Sequence, residues 1–139
     1  MTAQTETNKT TRAFGLWPSK ITPELIAAAI RLNDPMWDTD GQTLVWREGR
    51  SGKGVLMAQP LGEPPYELSG EQNVKGGVGY GGGDFTVRHG LAIFAAKDGR
   101  LYRRPLGTGF PEAITPDFGK VAAPVLSPRG KWVAFVHTY

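Results

Sequence analysis

The sequence predicts an all-β chain built as a partial β-propeller with one short N-terminal helix, and three observations carry that reading. Glycine and proline are frequent, 19 and 11 in 139 residues, and most of them separate short β-branched or aromatic runs. Turn signals recur at Asp40-Gly41, Ser51-Gly52, His89-Gly90, Asp98-Gly99 and Arg129-Gly130, so close together that the strands between them must follow one another as a meander. The third observation is a self-similarity with a period near 45 residues, the length of one four-stranded propeller blade.

In chain order, residues 1–12 are polar, threonine-rich and without periodicity, the composition of a disordered leader. A helix is expected next. Thr22 can cap it, Pro23 suits the first helical position, Glu24 favours the positive end, and Leu25 to Ile30 continue it for about two turns. Strands are expected at Thr43–Trp46, Val55–Ala58, Phe85–Val87, Leu91–Ala96, Leu101–Leu106 and Trp132–Val136, with a weaker one at Ala122–Leu126. Trp37, Trp46 and Trp132 fit the repeat and are expected in blade cores, whereas Trp17 lies outside it and is expected to pin the N-terminal segment to the sheets. Asp38 and Asp40 read as turn formers, because a calcium loop needs a third ligand that does not follow at suitable spacing.

The repeat itself appears at two offsets. At 45 residues, Gly54-Val55-Leu56 and Pro60-Leu61-Gly62 fall on Gly99-Arg100-Leu101 and Pro105-Leu106-Gly107. At 89 residues, the nine positions Asp38 to Trp46 fall on Ser127 to Phe135. A chance likeness between hairpins of a sandwich or open barrel would not extend over nine positions. Blades are therefore expected at residues 30–69 and 85–115, with a third beginning at 122 and left without its outer hairpin. About two and a half blades leave apolar faces and strand edges uncovered, so the chain is expected to be a fragment that self-associates through open blade edges.

Composition excludes several functions. With no cysteine there are no disulfides, thiolate metal sites or cysteine nucleophiles, and His89 and His137 have no companions at ligand spacing, so no metal is expected. The net charge of +3 is scattered, with Arg103-Arg104 the one adjacent basic pair, and no nucleic-acid partner is expected. The sequence contains neither a run of about 18 apolar residues nor an apolar export signal near its start, so a cytoplasmic protein with no membrane partner is expected.

No catalytic residue is expected. None of Ser19, Ser51, Ser69 and Ser127 sits in the Gly-x-Ser-x-Gly turn that exposes a nucleophile and aims backbone N–H groups at an oxyanion. The glycines at 77, 79 and 82 form a G-x-G-x-x-G, but it would bind a dinucleotide only with a helix after it, and Phe85-Thr86-Val87 reads as a strand, so no cofactor is expected.

Leu126 to Phe135, reading Leu-Ser-Pro-Arg-Gly-Lys-Trp-Val-Ala-Phe, resembles the Ser-Pro-Asp-Gly-Lys repeat of TolB-like and prolyl-oligopeptidase propellers, with Arg129 in place of the usual aspartate. Gly15-Leu16-Trp17-Pro18-Ser19 and Tyr80-Gly81-Gly82-Gly83-Asp84-Phe85 are similar to the N-terminal region of bacterial dipeptidyl-aminopeptidase and acylaminoacyl-peptidase relatives, although Gly79 stands where those often carry glutamate. The resemblance implies a propeller set over a C-terminal α/β-hydrolase domain, the partner that would hold a Ser-Asp-His triad and cleave short peptides. Tyr80, Gly81, Gly82, Gly83 and Asp84 are the candidate substrate-access residues, on the expectation that this loop faces the interdomain cavity. A different class of function, a self-assembling propeller module without enzymatic activity, is compatible with the same repeat. A TolB-like periplasmic scaffold would need an export signal.

Overall fold

In the computed structural model, residues 11–16, 21–27, 29–78 and 83–139 are described. The leader up to residue 10, and Trp17 with its expected pinning role, lie outside the described residues. The chain is all-β, in three antiparallel sheets. Strands β1 (Arg31–Trp37), β2 (Thr43–Arg50), β3 (Lys53–Pro60) and β4 (Tyr66–Glu67) form the first in sequential order. A second sheet is made by β5 (Phe85–Arg88), β6 (Leu91–Ala95), β7 (Leu101–Pro105) and β8 (Glu112–Ala113), and β9 (Lys120–Leu126) with β10 (Val133–Thr138) makes the third. None of the three sheets closes on itself.

Each expected run lies within or overlaps one of these strands, but β1, β4 and β8 were not foreseen. β1 reads Arg-Leu-Asn-Asp-Pro-Met-Trp, polar and broken by a proline, and β4 and β8 have two residues each. The expected two-turn helix is reduced to α1 (Pro23–Ala27). At its start the carboxyl of Glu24 is held below its usual pKa by the Glu24 backbone N–H and by the Thr22 hydroxyl. Elongation fails because Ile26 is 65% exposed; so short a helix needs a packed apolar face to offset nucleation.

The sheets share their turns as well as their strand order. Asp38 N–H donates to Thr43 O and Gly41 N–H to Asp38 O; at the 89-residue offset, Ser127 N–H donates to Trp132 O and Gly130 N–H to Ser127 O. Leu61 N–H donates to Gln42 O, and Leu106 N–H, 45 residues further on, donates to Gly90 O, both at 2.8 Å, tying each third-strand exit to the turn between strands one and two. A further match involves the backbone of two proline-containing pairs. Asp34-Pro35 in β1 and Ala123-Pro124 in β9 are also 89 apart, each first residue has a left-handed backbone (φ 51° and 50°), and each sits at a register shift.

Packing explains the burial pattern. Val45, Leu56 and Ala58 of the first sheet meet Phe85, Val87, Phe94 and Tyr102 of the second in one core, where the Phe94 and Tyr102 rings stack at 5.5 Å. Ala95 and Leu101, on the opposite face of the second sheet, meet Val121, Val133 and Phe135 of the third. The second sheet is thus covered on both faces, and β6 is buried almost without interruption, whereas β10 alternates because only one of its faces is covered. This corrects the expectation for the tryptophans: Trp37 is 54% and Trp132 69% exposed and Trp46 is half-buried. Trp37 and Trp46 share the face of the first sheet opposite Val45, away from the second sheet.

Two glycines of the 45-residue repeat mark crossings of the chain. The segment leaving the first sheet passes over the start of β3, where Val74 N–H donates to Gly54 O at 2.8 Å, and a Cβ on Gly54 would collide with the Val74 carbonyl oxygen. Gly99 stands in the same relation to the Gly119 carbonyl and also has φ of 84°. Gly54→Ala and Gly99→Ala should each lower the unfolding free energy by about 3 kcal/mol, while Gly107→Ala, with no atom within 4 Å, should change it by less than about 0.5 kcal/mol; urea unfolding of the three variants checks this.

Burial raises the phenol pKa of both Tyr66 and Tyr102 above the usual 10.0, and at Tyr102 the carboxylate of Asp98, 2.6 Å from the hydroxyl, adds to the rise. The folded state therefore favours the neutral phenols. Their stabilisation is present below pH 10 and is lost as pH rises through the raised folded values. Tyr102→Phe should cost about 1 kcal/mol at neutral pH through the lost hydrogen bond and should flatten the fall of the melting temperature above pH 10, read by thermal melts across that range.

Candidate functional site

The first strands of the three sheets lie together. Each pairs on one side only, β1 with β2, β5 with β6 and β9 with β10, and β5 touches both of the others. Their free edges border a cleft of about 440 Å³ lined by Met36 and Trp37 of β1, all of β5, and Ala123–Leu126 of β9, with Thr39 and Gly83 also in the lining. The repeated bulge matters here, because Asp34-Pro35 and Ala123-Pro124 bend the two flanking strands at corresponding points. Proline also removes a backbone donor from an edge that would otherwise invite strand pairing.

Beside this cleft three turns are locked together through Asp38, Thr39 and His89. The buried Asp38 carboxylate accepts from Thr39 N–H and Gly90 N–H, both at 2.7 Å. Thr39 Oγ1 accepts from His89 N–H at 3.0 Å and lies 3.2 Å from His89 Nδ1. His89 Nε2 is 2.8 Å from Pro128 O; a carbonyl can only accept, so Nε2 carries the proton in that contact, while the Thr39 hydroxyl lies within reach of both His89 Nδ1 and Asp38 Oδ1. One imidazole thereby joins the β1–β2, β5–β6 and β9–β10 turns. Asp40, expected in the same turn-forming role, accepts only from Gln42 N–H of its own turn, at 2.8 Å.

Of the five candidate access residues, Gly83 lines the cleft. Tyr80, Gly81 and Gly82 lie outside the described residues. Asp84 is held in a stitch: its carboxylate accepts from Gly76 N–H at 2.6 Å and lies 2.9 Å from Arg47 Nε, while its carbonyl accepts from Ala95 N–H at 2.8 Å. Arg47 Nε also donates to Val74 O at 3.0 Å, so this pair fastens the connector between the first two sheets to β2. Sequence reasoning missed the cleft itself and the Asp38–His89 junction. The available signals were the Asp-Pro and Ala-Pro pairs at the 89-residue offset.

Of the four serines, Ser19 lies outside the described residues. Ser69 Oγ accepts from Leu56 N–H and donates to Glu67, Ser127 Oγ accepts from Trp132 N–H, and Ser51 forms a turn with φ of 46°. His137 stacks on Phe118 at 4.1 Å, with Nε2 2.9 Å from Phe118 O. β5 follows the glycine-rich segment in chain order, and residues 79–82 of that segment lie outside the described residues. Among the described residues no group of three His, Cys, Asp or Glu side chains could hold a metal ion, and no helix is long and apolar enough to cross a membrane. The chain has no significant match to a protein-family model, a curated protein or a solved structure.

Asp38→Ala should cost about 2–3 kcal/mol, because it strands two amides that a buried charge satisfies, and the cost should be shared by all three sheets. Asp40→Ala should cost less than about 1 kcal/mol. Chemical denaturation of both variants, with hydrogen exchange at Gly90, checks the difference.

Proposed function

We propose that the three sheets are successive blades of a β-propeller, with β1, β5 and β9 nearest its axis, and that the chain is a non-catalytic N-terminal propeller portion of a cytoplasmic serine peptidase of the prolyl-oligopeptidase type. The observation that carries the blade reading is the head-to-tail packing: the face of the first sheet bearing Leu56 packs on the second, and the face of the second bearing Leu101, its equivalent at 45 residues, packs on the third. Repetition of one interface in one sense arranges sheets around an axis. The peptidase half of the reading rests on the resemblance of the Ser127–Phe135 repeat and the Tyr80–Phe85 stretch to that family.

In this role the cleft between the first strands is part of the path by which short peptides reach an α/β-hydrolase domain. Free strand edges offer backbone donors and acceptors to an extended chain, Gly83 lets a peptide approach the backbone closely, and the narrow cleft turns folded proteins away. The hydrolase domain supplies the nucleophile. The test is an NMR titration of the chain with tetrapeptides and with a small folded protein. The expected outcome is weak, saturable shifts of Gly83, Thr86 and Val125 amides with the peptides alone. Shifts confined to other surfaces, or covalent labelling of one of the chain's own serines by a phosphonate probe, would overturn it.

A further inference from the structure

A second concavity, of about 640 Å³, lies at the end of the first sheet remote from the β1–β2 turn, where Ile26 of α1, Ser51 of the β2–β3 turn and the connector after the first sheet meet. Arg31, Arg47, Lys53 and Lys75 line it, and no carboxylate does among the described residues. Arg47 has a counter-charge, since its Nε lies 2.9 Å from Asp84 Oδ2. Lys53 Nζ donates to Gly70 O at 3.1 Å, which leaves its charge unbalanced. The Arg31 guanidinium and the Lys75 ammonium have neither an ion pair nor a hydrogen bond among the described residues. Three positive charges, those of Arg31, Lys53 and Lys75, therefore share one concavity without a negative one.

This polarity departs from the repeat. Asn33 pairs with Arg47 across β1 and β2, and Ala122 pairs with Val136, each 89 residues further on, across β9 and β10. In the second sheet Ala95 stands opposite Leu101, as Arg47 stands opposite Leu56 in the first. Ala95 and Ala122 are buried. The first sheet thus forgoes apolar burial at two positions that its equivalents use for packing, and places an asparagine and an arginine there.

We infer that this concavity binds a small phosphate-bearing polyanion, a phosphate monoester or a pyrophosphate, through Arg31, Lys53 and Lys75. A concave wall lined by one sign of charge focuses its field on a counter-ion. The arginine fork matches two phosphate oxygens and the lysines add point charges beside it. Three unbalanced cations suit an anion of two or more charges, whereas a single carboxylate would leave most of the repulsion in place. Asn33, and Arg47 already neutralised by Asp84, add hydrogen-bond donors to the same wall. The volume falls within the range of small-molecule sites, about 300–1,000 Å³, and Ile26, 65% exposed, offers an apolar contact to the organic part of an ester. This site is independent of the blade and peptidase readings.

NMR titration of the chain at low ionic strength with pyrophosphate, glycerol phosphate and acetate tests it, using the wild type, Arg31→Gln, Lys75→Gln and, for a cation outside the concavity, Lys131→Gln. All three side chains are exposed, and circular dichroism establishes that each variant keeps its sheets. Pyrophosphate and glycerol phosphate should shift the Gly52, Lys53 and Lys75 amides saturably, and acetate should do so far more weakly. Arg31→Gln and Lys75→Gln should each weaken pyrophosphate binding about tenfold, the loss of one charge-assisted contact, while Lys131→Gln should leave it unchanged. Shifts that never saturate and spread over the surface would overturn the inference. So would equal weakening by Lys131→Gln, which means general charge screening, or acetate binding as tightly as pyrophosphate, which means a site for single charges.

Discussion

A β-sheet that is apolar on both faces is stable only when something covers each of them, and the middle sheet of this chain is of that kind. Phe94 and Tyr102 point one way, Ala95 and Leu101 the other. Covering both faces forces the first and third sheets to opposite sides of it. At about 25 cal/mol per Å² of buried apolar area, two such interfaces dominate the favourable side of folding. The hairpins themselves contribute order more than energy, because an isolated two-stranded unit is marginal in water.

Once the sheets are stacked, the polar groups have to be satisfied where the chain crosses between layers. The Arg47–Asp84 pair does this for the connector after the first sheet, and Asp38, Thr39 and His89 do it where the three first turns meet. Both clusters replace water with directed partners at points where backbone N–H groups would otherwise be stranded. They also fix how closely the free edges of β1, β5 and β9 approach. The cleft is thus a consequence of the stacking and of the two polar junctions, and its chemistry is that of exposed backbone and apolar side chains.

The packing is directional. Each sheet presents one face to the sheet before it and the other to the sheet after it, so a stack of any length ends in two unlike surfaces. Inside the chain those surfaces meet each other twice. The outer faces of the three described sheets carry Trp37, Leu44 and Trp46 on one side and Val125, Ala134 and Val136 on the other.

Much of this was legible in the sequence, for a local reason. Two-residue turns with glycine, β-branched runs and a period near 45 residues depend on backbone geometry over a few positions, so the core strands, the meander order and the repeat could be read directly. What failed depended on distant partners. β1 carries charges and a proline and is a strand because β2 pairs with it; the helix after Thr22 is short and leaves Ile26 exposed; and the tryptophans looked like core because sequence cannot tell which face of a strand is covered. Of the candidate access residues, Gly83 borders the cleft, while Asp84 proved to be bound to Arg47, 37 positions earlier in the chain. The sequence by itself determined that this protein is made of repeated antiparallel units. Only the tertiary structure decided which faces meet and where three turns close on one histidine, because those choices are made by contacts between residues 20 to 52 positions apart.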